Sequence, residues 1–168
     1  DFTPNRLEVS KRLAKSFVDK RINDRIGLVV FSGEAFTQCP LTVDHEIIND
    51  FIEAQQVGYL EDGTAIGMGL ATAVNRVKDS DAKSKIIILL TDGKNNRGYI
   101  DPETAMGLAK ELGIRVYTIG VGSDNPALGP VGRAMNGELI MDYIKGEIDE
   151  VLLEKIATQT EKVNGKNV

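Results

Sequence analysis

The run Ile86-Ile87-Ile88-Leu89-Leu90-Thr91-Asp92-Gly93 constrains the fold more than any other segment. Ile86 to Leu90 offer no polar face to water. Such a strand is expected to be buried on both sides, as in a parallel sheet covered by helices. The run then stops abruptly at a carboxylate and a glycine. Open α/β sheets bind their ligands outside the carboxyl ends of their strands. Asp92 therefore marks the end of a core strand and a candidate site together.

Similar punctuation recurs along the chain. Thr3-Pro4 reads as a helix start, with Leu7, Ala14, Phe17, Val18 and Ile22 at helical spacing. Ile26 to Phe31 reads as an apolar strand ended by Ser32-Gly33. Ala35 to Val43 is extended and contains Pro40, which cannot donate to a ladder, so it is predicted as an edge strand. Asp44 caps a helix carrying Ile47, Ile48, Phe51 and Ile52. The turn Leu60-Glu61-Asp62-Gly63-Thr64 leads into a helix with Ile66, Leu70, Ala73, Val74 and Val77 inward.

Asp101-Pro102-Glu103 starts the next helix, and Gly113 ends it. Arg115 to Val121 is predicted as a third buried strand. Asn136-Gly137 is a hairpin signal between Val131–Met135 and Glu138–Tyr143, read as an excursion off the main sheet. Asp149 caps a last helix with Leu152, Leu153, Ile156 and Ala157. Strands alternating with helices predict an α/β fold with a doubly wound, mostly parallel sheet. Helices cover both of its faces, and one edge strand is antiparallel.

Composition narrows the function. The 168 residues suit a single domain, 1–168, and 42% hydrophobic residues can fill its core. A net charge of −5 with acids and bases interspersed is no footprint for nucleic acid. Cys39 is the single cysteine, so an internal disulfide is excluded. No apolar stretch is long enough to cross a bilayer. The chain opens at Asp1 rather than methionine, and a fragment or processed form is expected.

Thr64 and Asp92 are the main candidate pair. Each follows a turn at what should be one edge of the sheet, and their hard oxygens suit Mg²⁺. The plain alternatives are a helix cap for Thr64 and a turn former for Asp92. Other candidates are weaker. Gly120-Val121-Gly122 lacks a third glycine at Asn125, and Gly63 to Gly69 lacks the Lys-Ser/Thr ending of a phosphate loop. His45 reads as helix surface and Cys39 as a small apolar filler. Lys94 and Arg97, flanking Asn95-Asn96, stand where an acidic partner would meet them, though solvated loop charge is the commoner case. Glu61 and Asp62 have no matched second group for acid–base work.

Five segments carry a family likeness together. They are Asp1-Phe2-Thr3-Pro4-Asn5-Arg6-Leu7, Arg25 to Gly33, Asp62-Gly63-Thr64-Ala65-Ile66-Gly67, Leu90-Thr91-Asp92-Gly93 and Val116 to Gly122. In this order they resemble a von Willebrand factor A domain, most closely the bacterial aerotolerance-operon (Bat-type) branch. The resemblance implies a metal-ion-dependent adhesion site. Such a site holds Mg²⁺ or Mn²⁺ through a threonine, an aspartate and an Asp-x-Ser-x-Ser loop, and a partner's acidic residue completes the shell. Thr64 matches the threonine and Asp92 the aspartate.

The family's loop, and the first strand that carries it, belong just before the position of Asp1. The sequence contains neither, and Ser10 and Ser16 fall in a predicted helix. The expectation is a domain truncated at its N-terminus, with weak or absent metal binding. The closing strand is not evident in Glu161 to Val168. In the family's order, the first strand lies between Ile26–Phe31 and Ile86–Leu90.

The function implied is a non-enzymatic, metal-dependent protein-interaction domain of a membrane-anchored bacterial protein. It would act with a MoxR-type AAA+ ATPase and sibling A-domain proteins in assembly or stress tolerance. Membrane contact would come through segments outside this sequence. The alternative is a Mg²⁺-dependent phosphoryl-transfer enzyme using Asp92.

Overall fold

The computed structural model describes residues 6–56, 62–121, 127–133, 139–144 and 148–161. The elements run α1 (Arg6–Asp19), β1 (Ile26–Phe31), β2 (Ala35–Thr42), α2 (His45–Glu53), α3 (Ile66–Val77) and β3 (Ile86–Thr91), then α4 (Pro102–Glu111), β4 (Arg115–Gly120), β5 (Ala127–Arg133), β6 (Leu139–Ile144) and α5 (Glu150–Glu161). This is the Rossmann-like α/β arrangement that the alternation predicts.

The strands form three pairs. β3 and β4 are parallel, in register from Ile86 opposite Arg115 to Thr91 opposite Gly120, with α4 as the crossover. β2 lies antiparallel to β1. Pro40 is exposed and sits where the β1–β2 register shifts, between the Ile26–Thr42 and Leu28–Cys39 pairs. A ladder that skips a residue there needs no N–H from proline. β5 and β6 form a separate antiparallel hairpin, as Asn136-Gly137 suggests; the turn itself lies outside the described residues. Among the described residues no ladder joins β1 to β3.

Helices cover both faces of β1. Ile26 and Leu28 pack on the cluster of Val18, Cys39, Ile48 and Ile52, which comes from α1, β2 and α2. Phe31, of opposite parity and so on the other face, packs on the larger cluster built on α3. That cluster joins Ile66, Leu70 and Val74 of α3 to Ile87 and Leu89 of β3, Ala105 and Met106 of α4, Val116 of β4 and Ile156 of α5.

The sequence expectation of strands buried on both sides holds for one face only. Ile87, Leu89, Thr91 and Val116 are buried, whereas Ile86 is 45% exposed and Tyr117 46%. The cause is that α3, α4 and α5 share one cluster and so cover a single face of β3–β4. The sequence shows the apolar run but not how many faces receive a helix.

The helix signals behave as their chemistry requires. Asp44 accepts from the Ile47 N–H at 3.1 Å and Asp101 from the Thr104 N–H at 2.8 Å. Asp149 does the same for Leu152 at 3.0 Å. Gly113 takes a φ of +67°, the left-handed stop that favours glycine after a helix. The fully buried Thr160 hydroxyl accepts the Val116 N–H at 3.0 Å, so α5 satisfies a backbone group of β4.

Three expectations are corrected. α1 ends at Asp19, which leaves Ile22 beyond the helix and 84% exposed. Ile47 is 42% exposed because Ile48 and Ile52 face inward instead. Ala65, not Thr64, occupies the N-cap position of α3, and no side chain caps it. The Thr3-Pro4 helix start and the segment after Glu161 lie outside the described residues.

α3 approaches its neighbours closely at Gly67. A Cβ there would collide with the Ile100 carbonyl oxygen, a backbone atom that cannot swing aside. Gly67→Ala is expected to lower stability by about 3 kcal/mol, the upper range for overpacking. A methyl group on Gly107, within α4, would meet nothing within 4 Å. Gly107→Ala should therefore be stabilising by roughly 0.5–1 kcal/mol. Urea unfolding of both variants checks the contrast; equal midpoints would show that α3 has slack at Gly67.

Candidate metal centre

Three loops meet where β1 and β3 end and α3 begins, and backbone groups hold them together. At the end of β1, the Ser32 carbonyl accepts from the Ala65 N–H at 2.6 Å, and the Ser32 hydroxyl donates to the Gly63 carbonyl at 3.0 Å. From the loop after β3, Asn96 Oδ1 accepts the Thr64 N–H at 2.8 Å. The Thr64 carbonyl in turn accepts the N–H groups of Asn96 at 2.9 Å and Arg97 at 3.4 Å. Asn95 Oδ1 accepts the Gly67 N–H in the first turn of α3, at 3.4 Å. Thr64 is thereby fixed on both sides of its backbone.

Its side chain lies against the loop after β3. A Cβ on Gly93 would come within 2.9 Å of Thr64 Oγ1. The hydroxyl therefore stands directly beside the residue that follows Asp92, and glycine is what permits the approach. Since Ala65 takes the N-cap position, this hydroxyl is not spent on capping. The turn at Asp92 is likewise closed by another group: the buried Thr91 hydroxyl accepts the Gly93 N–H at 3.3 Å. The cap reading of Thr64 is therefore not what the structure shows.

The Asp92 side chain is 51% exposed, with the Arg6 guanidinium 3.7 Å from Oδ2. An ion pair this open is screened and adds little to stability. It does place a positive charge where a cation bound to Asp92 would be repelled. A hydroxyl and a carboxylate are hard oxygen donors, which fit Mg²⁺ or Mn²⁺ better than softer metals. Among the described residues no group of three His, Cys, Asp or Glu side chains stands together. A cation held by Thr64 and Asp92 alone would keep most of its water.

The remaining sequence candidates fall elsewhere. His45 Nε2 lies 2.8 Å from the Asp24 carbonyl oxygen, at the start of α2. Cys39 is buried with Val18, Ile48 and Ile52, the filler role expected of it. The Ser10 hydroxyl donates back to the Arg6 carbonyl within α1 at 3.0 Å, and Ser16 also stays in that helix. The stem of Arg97 covers Gly63, and Lys94 lies exposed in the same loop. Asp62 is exposed, while Glu61 and Gly122 lie outside the described residues.

Sequence reasoning missed Arg6, Ser32, Asn95 and Asn96 as parts of this assembly. The available signal was a tandem of asparagines just after a strand-end Asp-Gly, since Asn side chains readily accept from backbone N–H groups.

The von Willebrand factor type A domain family model matches residues 1–162. An uncharacterised protein of Borreliella burgdorferi is 33% identical over 156 residues, covering 93% of this chain and 46% of that protein. An aerotolerance-related membrane protein of Bacteroides fragilis has a similar structure, with TM-score 0.75 and 31% identity over 95% of this chain and 80% of that one. Proximal thread matrix protein 1 of the mussel byssus, whose structure is described as having a zinc-occupied MIDAS motif, gives TM-score 0.62 and 31% identity, covering 71% of this chain and 32% of that one. The chain spans about half the length of the curated bacterial relatives it matches.

With two protein ligands and a neighbouring guanidinium, the 168-residue chain is expected to bind Mn²⁺ with a dissociation constant on the order of 1 mM or weaker. Isothermal titration reads this directly. Micromolar binding that disappears in Asp92→Ala would mean that further groups complete the shell.

Proposed function

The chain belongs to the von Willebrand factor A domain family, in its bacterial aerotolerance-related branch, and on that premise we propose that it recognises protein partners through a divalent cation held at Thr64 and Asp92. The observation that carries this reading is the fixed placement of the Thr64 hydroxyl beside Gly93, with the half-exposed Asp92 carboxylate next in the chain. Thr64 Oγ1 and an Asp92 oxygen would hold Mg²⁺ or Mn²⁺. When bound, the ion offers an open coordination position to an acidic side chain of the partner. The chain's own residues contribute position: Ser32, Asn95 and Asn96 fix the loops, and Arg6, Lys94 and Arg97 set a basic rim that suits an acidic segment.

The partners of the full-length protein are, in this reading, a MoxR-type AAA+ ATPase and sibling A-domain proteins, in assembly or stress tolerance. The parent is anchored in the bacterial membrane through other segments. Support for the anchor comes from the Bacteroides fragilis relative, described as a membrane protein. Among the described residues, no helix is long and apolar enough to cross a membrane. Phosphoryl transfer through Asp92 gains no support: among the described residues Asp92 belongs to no group of three His, Cys, Asp or Glu side chains.

In the full-length protein, Thr64→Ala and Asp92→Ala are each expected to abolish chelator-sensitive capture of the partner. Stability should change by no more than about 0.5 kcal/mol, since neither side chain is buried. Pull-downs with and without EDTA, paired with circular dichroism, test this. Retained capture in both variants, or loss of helical signal in either, would contradict it.

A further inference from the structure

We propose that Asn96 is the positioning residue of this site, gripping the backbone of Thr64 from the loop after β3 and thereby setting where the Thr64 hydroxyl stands beside Asp92. The inference rests on the metal-site reading above and extends it to a residue that touches neither the cation nor the partner. Thr64 gives its N–H to Asn96 Oδ1 at 2.8 Å and takes the Asn96 N–H on its carbonyl at 2.9 Å. Two bonds of opposite sense between the same two residues define a position far better than one. The Arg97 N–H adds a third bond, to the Thr64 carbonyl at 3.4 Å, and Asn95 a fourth, from the Gly67 N–H at 3.4 Å.

One of them, from the Gly67 N–H to Asn95, also supplies an acceptor that α3 lacks. The first N–H groups of a helix have no partner within it, and the N-cap Ala65 provides no side-chain acceptor. The Gly67 N–H takes its acceptor from the loop that begins with Asp92, and the Ala65 N–H takes the Ser32 carbonyl at the end of β1. The start of α3 and the end of β3 are thus a single hydrogen-bonded unit, and Thr64 cannot shift without releasing Asn96. Asparagine suits this task chemically. Its amide oxygen accepts as a carboxylate would, but adds no negative charge to compete with Asp92 for the cation. Because Asn96 is exposed, the contact organises the site while contributing little to the core.

The test combines amide exchange with Mn²⁺ binding in the full-length protein. In Asn96→Ala, the Thr64 amide should exchange roughly fivefold faster, the loss expected for one net hydrogen bond. The Val116 amide, bonded to buried Thr160, should not change. Asn96→Asp, which keeps the acceptor, should restore protection at Thr64. Affinity for Mn²⁺, read by electron paramagnetic resonance of the free ion, should fall about threefold or more in Asn96→Ala. Unchanged Thr64 exchange in Asn96→Ala overturns the clamp. So does unchanged Mn²⁺ affinity in that variant when Asp92→Ala abolishes binding. If wild-type protein binds no Mn²⁺, or binds it regardless of Asp92, the metal reading fails instead, and the exchange comparison still decides whether Asn96 holds Thr64.

Discussion

Burial of the apolar face of α3 is the constraint on which the rest depends. Among the described residues no ladder joins β1 to β3, and α3 connects them. Ile66, Leu70 and Val74 are each no more than 3% exposed, packed with Ile87 and Leu89 of β3 while Phe31 of β1 closes on Gly69. Fully burying each large aliphatic contributes about 1.5–3 kcal/mol, so this single helix face rivals the whole net stability of a small domain. Gly67 and Gly69 are what let it settle so close, one beneath the Ile100 carbonyl and one beneath the Phe31 ring.

The site follows from that packing. Seating α3 between the two strand pairs brings its N-terminus to the ends of β1 and β3 together. The unmet N–H groups there then find acceptors in Ser32, Asn95 and Asn96. Thr64 is delivered to Gly93 as a consequence of satisfying backbone groups. The chain carries a net charge of −5, yet the Arg6 guanidinium stands beside Asp92, and Lys94 and Arg97 follow in the same loop. A partner that is acidic at the contact meets locally favourable charge on a protein that would otherwise repel it.

Much of this is legible in the sequence because the signals are local. Apolar runs bound β1 and β3, Pro40 marks β2 as an edge strand, and Asp44, Asp101 and Asp149 mark helix starts through side chains that reach only three residues along. Asp92 can be placed at a strand end for the same reason. What stays hidden is non-local. The exposure of Ile86 and Tyr117 depends on which face receives α3, α4 and α5, and Ile22 obeys the helical period yet lies past the end of α1. The bond from Thr64 to Asn96 spans 32 positions, and no periodicity encodes it. The sequence places Thr64 at the start of α3, but the N-cap position there falls to Ala65.

The central claim is that Thr64 and Asp92 together hold one divalent cation. Anomalous diffraction at the manganese edge, from crystals of the full-length protein grown with tens of millimolar Mn²⁺, tests it most directly. The account predicts one peak at roughly 2.0–2.3 Å from both Thr64 Oγ1 and an Asp92 carboxylate oxygen, with Arg6 turned away and the remaining positions filled by water or by segments outside this sequence. A peak that neither Thr64 nor Asp92 touches, or ordered Arg6 still paired with Asp92 and no manganese between the two loops, would contradict it.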